Sequence, residues 1–120
     1  MADQEVTGSS NSGSDSIFER WGVILLTHVV IWKYRADIEQ ETREEHVHLL
    51  RNLASIIPEV KSLEVGFDTI GLPRSYDTGL VAVFDDRAGL DAYTVHPEHV
   101  KVANFGRTIS EHVASVDFNS

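Results

Sequence analysis

The sequence contains no cysteine, and few of its charged residues are basic. The first absence excludes disulfides, thiol nucleophiles and thiolate metal sites. Ten Lys and Arg residues stand against 19 Asp and Glu residues, which gives a net charge of −9 at pH 7. Because nucleic-acid-binding surfaces need clustered Lys and Arg, this balance argues against nucleic acid as a partner.

Long apolar runs are also absent. The longest, residues 21–32, is interrupted by Thr27 and His28, and it is shorter than the ~20 residues of a membrane-spanning helix. Asp3 and Glu5 lie at the N-terminus, where a signal peptide would carry basic residues. We therefore predict a cytoplasmic protein with no membrane partner.

The 120 residues are enough for one domain with a real core. Residues 1–16 are rich in Ser, Gly, Asp and Asn and offer almost nothing to bury. We predict a disordered tail over residues 1–20 and a single folded domain over residues 21–120. No Walker loop, G-x-G-x-x-G or H-E-x-x-H motif supports nucleotide or zinc chemistry.

Hydrophobic periodicity predicts an α+β fold in the order β-α-β-β-α-β, the ferredoxin-like pattern. Apolar residues at three-four spacing predict the first helix, which Pro58 ends. Gly106 is the predicted stop of the last helix. The first strand is apolar on both faces, so we expect a second subunit to cover the face that the helices leave free. The predicted strands are residues 23–35, 60–67, 80–84 and 111–118, and the first predicted helix is residues 37–57. We also predict a short helix that Asp85-Asp86 caps and that carries Leu90 and Tyr93, followed by a last helix that starts at residue 97.

Two histidines and a tyrosine lie close together in the segment Tyr-Thr-Val-His-Pro-Glu-His-Val, residues 93–100. Proline is favoured at the first position of a helix, which predicts that Pro97 begins one and that His96 caps it. His99 then lies in the first turn, where the helix dipole disfavours a positive charge. A neutral His99 could accept a proton while Tyr93 donates one. The alternative is that His99 only packs and His96 only caps.

The other histidines have two readings as well. His28 shares a strand face with Val30 and Trp32, so it is either a buried, hydrogen-bonded histidine or part of an aromatic-lined ligand site. His46 and His48 are two apart on the first helix and cannot both bind one metal ion. We predict that both are solvated.

These segments together resemble the Dabb family, the stress-responsive α/β-barrel domain. The resemblance covers about residues 25–118. It is carried by Thr27-His28-Val29-Val30-Ile31-Trp32-Lys33-Tyr34, by residues 53–63 around Ile56-Ile57-Pro58, by Tyr76-Asp77, and above all by the motif at 92–100.

The resemblance implies a ferredoxin-like protomer that pairs with a second copy, so that two sheets close a dimeric α/β barrel with the helices outside. In the plant polyketide cyclases of this family, the tyrosine and the second histidine of the motif form an acid/base pair. These positions correspond to Tyr93 and His99, and the strand histidine of those enzymes corresponds to His28. Their further pocket histidine falls at Thr78, a departure that puts the same substrate in doubt.

Some plant relatives hold a magnesium ion on backbone carbonyls after the first helix. The resemblance implies the carbonyls of Ala54, Ile57 and Val60 as the matching ligands. A helix C-terminus is a reasonable cation site because its carbonyls carry partial negative charge. No other cofactor is expected.

We therefore expect a homodimer with an apolar pocket for a small aromatic or polyketide-like molecule. His99 would be the base and Tyr93 the acid of a cofactor-free cyclisation, isomerisation or elimination. The residues expected to contact the ligand are His28, Val30, Trp32 and His96.

Whether the protein is an enzyme stays open at this point. The alternative is a non-enzymatic stress-response protein with structural histidines. A barrel-type monooxygenase fits the fold but not the motif. A cavity that touches Tyr93 and His99 favours ligand chemistry, whereas a core filled by Trp32, Phe67, Phe84 and Phe105 favours the structural role.

Overall fold

The computed structural model describes residues 24–120. The predicted tail and the first residues of the predicted domain lie outside this range. The elements, in chain order, are β1 (Leu26–Tyr34), α1 (Gln40–Ile56), β2 (Ser62–Phe67), β3 (Thr78–Phe84), α2 (Arg87–Val95), α3 (Pro97–Ile109) and β4 (Ser110–Asn119). Within the described residues, no helix is long and apolar enough to cross a membrane.

The four strands form one sheet in the order β2-β3-β1-β4, and every neighbouring pair is antiparallel. This is the ferredoxin-like α+β arrangement predicted from the sequence. The predicted short helix and the predicted helix from Pro97 are both present as α2 and α3, which meet at His96 and Pro97. Asp86 begins α2, because its carboxylate accepts the Gly89 N–H at 2.9 Å.

The helices cover one face of the sheet, and the core lies between the two layers. The largest fully buried side chains include Tyr34, Tyr93 and Phe84. Alternation along β1 sends Leu26, His28, Val30, Trp32 and Tyr34 to this helical side. The predicted apolar positions of α1 at 47, 50 and 53 face the same core.

The prediction that Gly106 ends the last helix is wrong. Helix α3 continues to Ile109, and Gly106 is buried inside it. A Cβ at this position would lie 2.7 Å from His46 Nε2 and 3.0 Å from Trp32 Nε1. Glycine is therefore present because α3 approaches β1 and α1 closely, not because the helix needs a terminator.

The prediction that His46 is solvated is also wrong, although His48 is exposed as predicted. His46 is fully buried, and its Nδ1 lies 2.8 Å from the Tyr34 hydroxyl. The same hydroxyl lies 2.8 Å from Thr78 Oγ1. The helix turn places His46 beside Val47 on the face that packs against the sheet. A polar residue in a charged stretch of α1 thus belongs to the core.

The other face of the sheet, which we call the outer face, is largely apolar and is covered by none of the helices within residues 24–120. It consists of alternate residues of the four strands, namely Thr27, Val29, Ile31 and Lys33 of β1, Ser62, Glu64 and Gly66 of β2, Gly79, Val81 and Val83 of β3, and His112, Ala114, Val116 and Phe118 of β4. Several of its large apolar side chains are exposed, with Val116 and Phe118 at 56% and 46%. The two-sided apolar character predicted for β1 is therefore confirmed.

Candidate functional site

Tyr93 is the centre of the candidate site. It lies near the end of α2 and is 1% exposed. Its ring centroid is 4.3 Å from that of His99, 6.1 Å from that of His28 and 5.1 Å from that of Phe84. Burial raises its pKa to about 12, so the phenol keeps its proton at neutral pH. The two residues that the sequence predicts for acid/base chemistry, Tyr93 and His99, are thus neighbours, and His28, predicted to contact the ligand, lies beside Tyr93.

His99 lies in the first turn of α3, as predicted. Its Nδ1 is 3.0 Å from the carbonyl oxygen of Thr94. A carbonyl can only accept, so Nδ1 carries the proton and Nε2 keeps a free lone pair. Burial lowers the pKa of His99, the Thr94 carbonyl partly opposes this, and the nearby positive charges of His28, Arg107 and His96 lower it further. The neutral state predicted for His99 therefore follows mainly from burial.

His28 is anchored by a carboxylate that sequence reasoning missed. Its Nδ1 donates a hydrogen bond to the Asp117 carboxylate, across the β1–β4 pair in which the two residues are in register. The carboxylate holds the Nδ1 proton and leaves Nε2 as the free nitrogen. In the sequence, Asp117 is only an acid between the apolar residues Val116 and Phe118 near the end of the last strand, and the register of the strands reveals its partner.

His96 caps α3, as the sequence predicts. Its Nδ1 accepts the backbone N–H of Glu98 at 3.1 Å, and Pro97 follows at the first helical position. Because this hydrogen bond uses the lone pair of Nδ1, Nδ1 cannot accept a hydrogen bond from a ligand. The remaining nitrogen, Nε2, carries the proton and is a donor only. A contact between His96 and a substrate stays a prediction.

An open cleft of about 520 Å³ reaches the site from the side of His28. Its walls come from β1, α2 and β4, and an ion pair of Arg87 with Asp91 at 2.9 Å lies among them. Its lining residues are Leu26, His28, Arg87, Leu90, Asp91, Thr94, Asp117 and Asn119. The cleft contacts His28 and Thr94 directly, whereas Tyr93 and His99 lie behind them.

Val30 and Trp32, the two apolar residues predicted to contact a ligand, differ in how deeply they are buried. Val30 is half-buried beside the core, and Trp32 is 6% exposed with its ring 5.0 Å from that of His46. Phe84 is also fully buried, whereas Phe67 is 38% exposed. The aromatic core is therefore well filled around Trp32 and Phe84, and the cleft beside His28 does not contact Tyr93 or His99. By the criterion stated from the sequence, these two observations favour the structural role.

The carbonyls expected to bind magnesium lie at the end of α1. The Ala54 carbonyl would accept the N–H of residue 58 in a continuing helix, but residue 58 is proline and has no N–H. The Ala54 oxygen is therefore free of its helical partner. The Ile57 oxygen already accepts the Val60 N–H at 3.2 Å. Within residues 24–120, no group of three or more His, Asp or Glu side chains could hold a metal ion.

Comparison with known proteins gives a consistent result. A family model described as the stress responsive A/B barrel domain (Dabb) matches residues 26–120. Olivetolic acid cyclase of Cannabis sativa is 25% identical over 93 residues, which cover 76% of this chain and 92% of that protein.

Two solved structures share the fold. A dimeric ferredoxin-like protein of unknown function from Thermobifida fusca superposes with a TM-score of 0.73 at 24% identity, covering 79% of this chain and 90% of that one. Hydroxynitrile lyase from Passiflora edulis gives a TM-score of 0.73 at 18% identity, covering 80% and 93%. At these identities the likeness concerns the fold alone.

Proposed function

The chain belongs to the stress-responsive A/B barrel (Dabb) family, and on that premise we propose that it binds a small carbonyl compound and transforms it by cofactor-free acid/base chemistry. The observation that carries this proposal is a buried phenol, Tyr93, flanked by the imidazoles of His28 and His99. Each imidazole is anchored through Nδ1 and keeps Nε2 free. The relative named as a cyclase supports an aromatic or polyketide-like substrate.

The proposed reaction requires the cleft to open past Thr94, because Tyr93 and His99 lie behind its lining. In this reaction the Tyr93 hydroxyl donates a hydrogen bond to the carbonyl oxygen of the substrate. Nε2 of His99 then removes a proton from the carbon next to that carbonyl, and the electron pair of the C–H bond forms an enolate. The enolate carbon attacks a second carbonyl of the same molecule and forms a C–C bond. The resulting alkoxide takes the proton back from His99, which restores the neutral imidazole.

The protonation states support this division of roles. A phenol with a pKa of about 12 is a hydrogen-bond donor throughout the neutral range. An imidazole with a lowered pKa is an acceptor at neutral pH. Activity should therefore stay constant on lowering the pH from 8 to 7, and its acid limb should lie below the usual histidine pKa of about 6.5.

Variants of the pair test the proposal. We expect His99→Ala to lower turnover of an aromatic or polyketide-like substrate by about 10²- to 10⁴-fold, and Tyr93→Phe to lower it while keeping the packing volume. His48→Ala is the matched control, because His48 is an exposed histidine on α1. A screen in which no such compound is bound or turned over, together with an unfolded or destabilised His99→Ala protein, would contradict the enzyme proposal.

A second candidate function is a non-enzymatic stress-response protein. The observation that favours it is the tight packing of Tyr93, 1% exposed, against the fully buried Phe84. In that case His99 would serve to hold the Thr94 carbonyl. Its replacement by alanine would then lower stability by about 1–3 kcal/mol through the stranded carbonyl, and ligand binding would not change.

We also propose that the protein is a homodimer that pairs through the outer face. The exposed apolar side chains of that face, which include Val81, Val116 and Phe118, would otherwise form a patch open to water. The dimeric neighbour of the same fold supports this assembly. Face-to-face pairing would bury on the order of 1,200–2,000 Å² of total surface. Light scattering should report twice the 13.4 kDa of one chain, and a monomer at micromolar concentration would refute the pairing.

Finally, we propose that the carbonyls of Ala54, Ile57 and Val60 hold a magnesium ion that stabilises the turn after α1. The free Ala54 oxygen supports this site, since Pro58 offers it no N–H. Millimolar magnesium should then raise the melting temperature. An unchanged melting temperature would contradict the proposal.

Cytoplasmic location stays a prediction of the sequence.

A further inference from the structure

The outer face of the sheet has an empty corner. Gly66 of β2 pairs in register with Gly79 of β3, and Ile31 of β1 continues the same row. A Cβ added at Gly66 would meet nothing within 4 Å, and one at Gly79 only the Ile31 side chain at 3.9 Å. This bare backbone borders an open cleft of about 480 Å³, which Arg74 and Tyr76 also line. We call this corner the glycine socket.

The diagonally opposite corner carries the largest side chain of the outer face. Phe118 lies on the other edge strand, β4, in the row of Thr27, and it is 46% exposed. The two corners are separated by three strand spacings of about 4.8 Å across the sheet and by four residues of about 3.3 Å along the strands. Phe118 and Gly66 of one chain are therefore about 20 Å apart, and Phe118 cannot fill its own socket.

A two-fold axis between two facing sheets can bring these corners together. If the axis runs along the other diagonal of the outer face, Phe118 of each copy lies over the socket of its partner. Such an axis makes the strands of the two sheets cross at nearly a right angle. Opposite walls of an eight-stranded barrel cross in this way, because its strands tilt by about 35–45° from the barrel axis.

We propose that Phe118 of each subunit inserts into the glycine socket of the other, and that these two contacts set the orientation of the dimer. The inference rests on the homodimer proposed above. The occupant of the socket is thus a second copy of this chain, and the absence of side chains at Gly66 and Gly79 is what admits an aromatic ring. Two equivalent contacts form, as two-fold symmetry requires.

Disulfide trapping tests the contact directly, because the chain has no cysteine of its own. The Gly66→Cys/Phe118→Cys variant should form a covalent dimer on mild oxidation, since the two positions are too far apart to link within one chain. Gly66→Cys alone and Phe118→Cys alone are the matched controls, because in this arrangement each position lies about 20 Å from the same position of the partner. Each single variant should link at least ten-fold more slowly than the double variant.

Filling the socket provides a second test. Gly66→Val has open space in the protomer and should keep the circular dichroism spectrum of the parent, but the dimer dissociation constant should rise by about 10- to 100-fold. Removing the partner ring with Phe118→Ala should weaken the dimer to a similar extent. Adding Gly66→Val to Phe118→Ala should weaken it little further, because the ring that the valine blocks is already gone.

The outcomes separate this inference from the dimer proposal. A monomeric parent protein would overturn both. A stable dimer in which either single-cysteine variant links as fast as the double variant would overturn the socket alone. A Gly66→Val dimer of unchanged affinity would also overturn it.

Discussion

The buried His46 should make the stability of the domain fall as the pH is lowered from 7 to 5.5. Its ring is fully buried between Trp32, Tyr34 and Phe105, and burial lowers its pKa to about 4. The unfolded chain has a histidine pKa of about 6.5. Below about pH 6.5, His46 binds a proton in the unfolded state but not in the folded state, so the free energy of unfolding falls.

The size of the effect follows from the two pKa values. Stability is unaffected above about pH 6.5 and falls by up to about 1.4 kcal/mol for each pH unit below it. At pH 5.5 the loss is about 1.4 kcal/mol, and below pH 4 it levels off near 3 kcal/mol. The loss at pH 5.5 is the one to measure, because pH 5.5 lies above the isoelectric point near 4.9, where proteins tend to associate.

Urea unfolding at pH 7 and pH 5.5, followed by circular dichroism, measures this difference. Carboxylates also titrate, so the contribution of His46 is the difference between the parent protein and His46→Phe. The variant should lose about 1.4 kcal/mol less than the parent between the two pH values. His48→Gln is the control and should behave as the parent does, because His48 is exposed on the same helix. An equal loss in parent and His46→Phe would refute the reasoning.

Three further predictions concern single residues. Gly106→Ala should destabilise the protein by about 1–3 kcal/mol in urea, because the new methyl group would lie 2.7 Å from His46 Nε2. Asp86→Ala should lower the free energy of unfolding by about 0.5–2 kcal/mol through loss of the α2 cap. Asp85→Ala should change it less, since the carboxylate of Asp85 only pairs with an exposed lysine. In an ultraviolet pH titration, one phenol should ionise near pH 12, and Tyr93→Phe should remove that step.

Local chemistry explains which parts of the site the sequence predicted. Pro97 has no N–H to donate and a helical φ, so the start of α3 and the cap at His96 follow from two neighbouring residues. Tyr93 and His99 then come together because one is near the end of α2 and the other in the first turn of α3. The error at Gly106 has the opposite origin. A glycine near the end of a periodic segment resembles a terminator, and its packing against His46 is invisible in the chain.

The sequence by itself determined the order of the elements, because hydrophobic periods of two and of about 3.6 residues and the positions of prolines act over short distances. It also determined the two-sided apolar character of β1. Only the tertiary structure decided which polar side chains form hydrogen bonds with one another. Asp117 reaches His28 through the β1–β4 register, and Thr78 reaches His46 through the Tyr34 hydroxyl. These residues are separated by tens of positions in the chain, so no local pattern carries them, and they meet only when the sheet forms.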